Sequence, residues 1–186
     1  MFAAGLPSIT YSLRGLAYMQ LDLTGARGDL HSGSFGGAVV NPAEALARML
    51  ASCRSADTGE ITIPGFYDDV VALTDAERAQ WSSLPFDEAQ YRDDLGVNAL
   101  LEEAGYDVLE RTWARPTFEV NGFLSGFTGE GSKTVLPAKA MAKISMRLVA
   151  NQDPEKIMDA AESHLRSLTP PGVRLEVIRM QGGKPW

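Results

Sequence analysis

The sequence is poor in the side chains that most often hold metals and build disulfides: it has one cysteine, Cys53, and two histidines, His31 and His164. A single cysteine excludes an internal disulfide framework and fits a reducing, cytoplasmic compartment. Cys53 also falls on the apolar stripe of a predicted helix, where a thiol packs as a small hydrophobe. Neither histidine has a second ligand at His-x-His, His-x-Asp or His-x-x-x-His spacing. A hydrolytic dizinc site needs several histidines and carboxylates converging on the ions, so the sequence predicts no metal site within these residues. No run of about 18 apolar residues occurs, and no basic segment followed by an apolar one opens the chain, which predicts neither a membrane span nor a signal peptide.

Basic residues are scarce in the middle of the chain. Between Asp57 and Arg111 there are 14 acidic and 3 basic residues, a net −11 within a total of −7, so the flanks together carry +4. This distribution argues against a nucleic-acid surface and marks 57–111 as a unit distinct from its flanks.

The patterns that are present alternate between strand and helix. From Gly15 to Thr24, Ala17, Met19, Leu21 and Leu23 alternate with polar residues, as on a strand with one buried face. Asn41-Pro42 then reads as an N-cap with proline at the first helical position, and Leu46, Met49, Leu50 and Cys53 share one helical face. Phe118 to Asn121 predicts a short strand ending in an Asn121-Gly122 turn, and 138–149 a longer strand. Asp153-Pro154 opens a second amphipathic helix with Ile157, Ala161, Leu165 and Leu168 inward, and Val173, Leu175 and Val177 mark a last strand. The order strand, helix, strand, strand, helix, strand predicts an α+β, ferredoxin-like (βαββαβ) fold: a four-stranded antiparallel sheet with two helices on one face. The core spans 13–56 and 112–181, and the acidic 57–111 segment is a helical insertion. Within it Thr74 and Glu77 predict a capping box, and Asp87 to Leu95 and Asn98 to Ala104 predict short helices.

His31 sits in the glycine-rich stretch Gly28-Asp29-Leu30-His31-Ser32-Gly33-Ser34-Phe35-Gly36-Gly37, just after the first strand. Such a loop brings an imidazole to a surface, for ligand contact or for local capping. His164, between Ala161 and Leu165, reads as a partly exposed structural residue. Gly126 to Thr134 imitates a phosphate loop, but Ser132 between Gly131 and Lys133 breaks the required spacing by one residue. Trp81, Trp113 and Trp186 are scattered, and packing accounts for them.

Five blocks in order, the His31 loop, Arg115-Pro116-Thr117, Val120-Asn121-Gly122, Gly129 to Lys139, and Met146-Arg147-Leu148-Val149 with Asn151 to Pro154, resemble the lid, or dimerisation, domain of the two-zinc aminoacylase and carboxypeptidase family, in its carnosine-dipeptidase-like branch. The resemblance covers nearly the whole chain. It implies a homodimer, a catalytic domain holding two zinc ions elsewhere in the same polypeptide, continuing from both ends of this chain, and a dipeptide-like substrate. It also implies roles for three residues: His31 donates to the developing oxyanion in the partner subunit's active site, Thr134 lies near substrate from across the dimer, and Arg147 grips a substrate carboxylate. From the residues alone, Thr134 equally caps the turn before its strand and Arg147 equally forms a surface salt bridge. A stand-alone ferredoxin-like module binding small anions or a protein is the alternative to a lid.

Overall fold

The first alternating stretch becomes β1 (Gly15–Thr24) in the computed structural model, which describes residues 5–186. The first four residues of the expected amino-terminal connecting segment lie outside the described part. Ala17, Met19, Leu21 and Leu23 are all but completely buried, and each large apolar side chain so placed contributes roughly 1.5–3 kcal/mol. A one-residue slip would turn all four toward water, so this face fixes the register.

Two short strands, β2 (Leu30–His31) and β4 (Val135–Leu136), pair with each other outside the main sheet, with the single-turn α1 (Ser32–Phe35) after β2. The main sheet consists of β1, β3 (Thr117–Ser125), β5 (Lys139–Leu148) and β6 (Arg174–Gly183), in the order β3-β5-β1-β6, every pair antiparallel. Two long helices cover one face of it: α2 (Pro42–Ala51), capped by Asn41 Oδ1 accepting from Ala43 N–H at 2.9 Å, and α6 (Pro154–Leu168), capped by Asp153. Leu46 and Met49 of α2 and Ile157, Ala161 and Leu165 of α6 join the inward residues of β1 and β5 in one core. This is the ferredoxin-like arrangement expected. Cys53 is fully buried just beyond α2, with its thiol donating to Met49 O at 3.4 Å.

Three helices lie between α2 and β3: α3 (Asp75–Ser82), α4 (Glu88–Leu95) and α5 (Val108–Trp113). The Thr74–Glu77 capping box forms at the start of α3, and Gly96 closes α4 in the left-handed conformation at φ 67°. The helix expected over Asn98 to Ala104 is absent. Ala104 N–H donates instead to Thr58 O at 3.0 Å, and Gly59 presses so close to Glu102 that a Cβ would stand 1.9 Å from its carbonyl oxygen. The segment therefore pairs with a neighbouring turn and not with itself. A helix the expectation lacked, α5, starts at a second capping box, Asp107 with Glu110. The Asn121-Gly122 turn is also corrected. The chain continues through it as a bulge in β3, where the pairing with β5 shifts between Val120 and Gly122.

Arg115 fastens the insertion to the core. Its guanidinium is sandwiched between the Tyr67 and Tyr106 rings, 4.4 and 4.1 Å from their centroids, and pairs with the Glu103 carboxylate. Trp81 of α3 meets Trp113 of α5 edge to face at 5.3 Å.

Candidate functional site

The loop after β1 is tied to Ala138 at two points before it reaches His31. Gly25 N–H donates to Ala138 O at 2.9 Å, and Asp29 Oδ1 accepts from Ala138 N–H at 2.9 Å. The β2–β4 pairing then sets His31 opposite Val135, and Ser32 N–H donates to Thr134 O at 3.0 Å. Two residues 103 positions apart thus share one exposed tip, with His31 Nε2 lying 3.1 Å from Thr134 Oγ1.

The second imidazole nitrogen is also engaged. His31 is the N-cap of α1, and its Nδ1 accepts from Gly33 N–H at 3.0 Å. A nitrogen that accepts from an amide carries no proton, so the neutral ring is protonated at Nε2. Nε2–H therefore donates to Thr134 Oγ1, and the threonine's own O–H is left to point elsewhere. The amide can approach the ring because residue 33 is glycine: a Cβ there would stand 2.7 Å from His31 Cε1. The two readings open for His31, capping and ligand contact, are thus compatible, since capping through Nδ1 presents Nε2–H outward.

Arg147 lies elsewhere. It is exposed on β5, opposite Leu16 of β1 and Thr117 of β3. His31 and Thr134 stand beyond the Thr24–Lys139 end of the sheet, and Arg147 is eight residues further along β5, roughly 27 Å at the rise of an extended strand. The structure brings His31 and Thr134 together and sets Arg147 at the opposite end. The surface salt bridge open for Arg147 is not formed with any described residue. His164 is half-buried on α6, and loss of water holds its pKa below the usual imidazole value. Asp29 and Gly33 escaped the sequence reading as site residues. Their signal was there, a carboxylate two residues before the histidine and a glycine two after it.

A model of the family described as "Peptidase dimerisation domain" matches residues 11–173. The chain belongs to that family. It is 35% identical over 161 residues to the Cys-Gly metallodipeptidase DUG1 of Candida albicans, a match covering 87% of this chain and 33% of the relative. It is 32% identical over 162 residues to the human Beta-Ala-His dipeptidase, covering 87% of this chain and 32% of that protein. Among solved structures, human carnosine dipeptidase 1 superposes with a TM-score of 0.85 at 30% identity, covering 97% of this chain and 39% of that one. This peptidase dimerisation domain therefore spans about a third of the length of its curated relatives.

The relatives' names imply metal. Among the described residues no three of His, Cys, Asp and Glu converge as a metal-holding group, and the two histidines are on separate elements. The donors among the described residues do not fit a dizinc centre.

Proposed function

We propose that this domain is the lid and dimerisation domain of a cytoplasmic, zinc-dependent dipeptidase, and that it acts through two separate residue sets. His31 and Thr134 serve the active site of the partner subunit, while Arg147 binds the substrate carboxylate in its own. The observation that carries this reading is the His31–Thr134 contact at one exposed, firmly held tip. The Thr134 O–H is free to meet an oxygen that gains negative charge as an amide is attacked, and the His31 Nε2–H, which donates to Thr134 Oγ1 in the free domain, turns to that oxygen when substrate arrives; donors held in place in this way stabilise such charge strongly.

Distance supports the division of labour between subunits. A dipeptide spans about 7 Å when extended, far less than the roughly 27 Å of β5 between Lys139, at the His31 end of the sheet, and Arg147. One substrate cannot touch both within a single copy. Two copies related by a two-fold axis bring the His31 tip of one over the Arg147 end of the other. The zinc ions belong, on this reading, to a catalytic domain of the same polypeptide outside these residues. The buried thiol of Cys53 suits a reducing cytoplasm.

The test is complementation in the full-length protein. His31→Ala lowers turnover by roughly 10²- to 10³-fold with little change in dimer content. Mixing that variant with one whose metal ligands are disabled restores activity, because the mixed dimer joins an intact centre to an intact His31 tip. If the mixture is no more active than the separate variants, His31 does not act across the dimer.

A further inference from the structure

The end of the sheet that carries Arg147 holds a second arginine, Arg14, without a side-chain hydrogen-bond or ion-pair partner among the described residues. Leu13 and Trp186 exchange two backbone hydrogen bonds of 2.6 and 3.0 Å, continuing the register that sets Leu16 opposite Gly183. Residues 13–16 are therefore extended, and faces alternate along them. Gly15 turns inward with Ala17, so Arg14 shares the opposite face with Leu16. Leu16 pairs with Arg147 on β5, which makes Arg14 and Arg147 diagonal neighbours across two bonded strands, about 7–8 Å apart at their Cα atoms. The placement is rigid, since a Cβ on Gly15 would stand 2.5 Å from Gly183 O and 2.7 Å from Pro185 N.

The charges there are not balanced. Glu119, opposite Ser145 and so on the same face, is the nearby carboxylate, and its ion pair, at 3.9 Å, is with Arg54. Partial loss of water and then the charge of Arg147 hold the Arg14 pKa below its usual value, with Glu119 acting in the other direction. Two guanidinium groups held side by side without a counter-ion are costly in the free protein and become favourable once an anion lies between them.

We infer that Arg14 and Arg147 form a two-arginine clamp that takes the free carboxylate of a peptide substrate between them. This deepens the proposed function and rests on its assignment of Arg147. A carboxylate offers two oxygens and about four acceptor positions, enough for both planar forks at once. Arg14 is thus a specificity-determining residue for substrates that end in a free acid.

The experiment is steady-state kinetics of the full-length enzyme on a dipeptide and on its C-terminal amide, comparing wild type with Arg14→Met, Arg14→Lys and Arg147→Met. The readout is the acid-to-amide ratio of kcat/KM, which is independent of how much of each variant is folded. The ratio falls by about 10- to 100-fold in both methionine variants, as losing a charge-assisted hydrogen-bond pair predicts, and Arg14→Lys recovers part of it. A ratio lowered by Arg147→Met and unchanged by Arg14→Met overturns the clamp and leaves the proposed function standing. A ratio changed by neither overturns the clamp and the Arg147 assignment together, and one changed by Arg14→Met alone overturns the pairing.

Discussion

Gly33 shows how one missing side chain sets the chemistry of another. Its N–H fixes the His31 tautomer and its lack of a Cβ leaves room for the ring. Gly33→Ala is expected to displace the imidazole and to cost the full-length enzyme most of what His31→Ala costs, while leaving domain stability within about 1 kcal/mol because the loop is exposed. Nitrogen-15 spectra of the histidine ring at neutral pH would show Nε2 protonated in the wild type and lose that bias in the variant. Cys53 gives a pH prediction. Burial pushes its thiol up to about 12 from an ordinary 9.0. The unfolded chain loses this proton before the folded one does, so the contribution of Cys53 to stability is intact below pH 9 and is lost as pH rises toward 12. Urea unfolding at pH 8 and pH 10 should show this decline, at most about 1.4 kcal/mol per pH unit, and Cys53→Ala should lack it.

At the scale of elements, local capping chemistry was legible in the sequence and long-range pairing was not. The caps at Asn41, Thr74 and Asp153 need only residues within one turn, and all three form as read. The box at Asp107 and Glu110 was equally readable and marks α5, whereas residues 98–104 have helix-forming composition that the contact with Thr58 overrides. The insertion is held by Arg115, 8% exposed, against Glu103. Arg115→Ala strands that carboxylate in a buried site, for which the expected cost is about 3–5 kcal/mol by denaturant titration. A deficit under about 1 kcal/mol at neutral pH would mean that Arg115 does not fasten the insertion.

For the whole molecule, the edge strand β3 leaves Val120, Phe123 and Leu124 exposed, an uncovered apolar border of the sheet. Sedimentation of the full-length protein at micromolar concentration is expected to show a dimer, as the proposed sharing of the His31 tip requires. Apolar alternation and helical caps in the sequence by themselves determined the four strands of the main sheet, the long helices and the core face, but not β2 and β4, because those signals act between residues close along the chain. His31 stood out by its glycine-rich loop, and Thr134 and Arg147 only by the resemblance of their blocks to the lid-domain family. The tertiary structure alone decided that Thr134 meets His31 across 103 residues and that Arg147 stands beside Arg14 at the far end of the sheet. Each of these follows from strand register, which the burial of whole sheet faces fixes together and no short stretch of chain specifies alone.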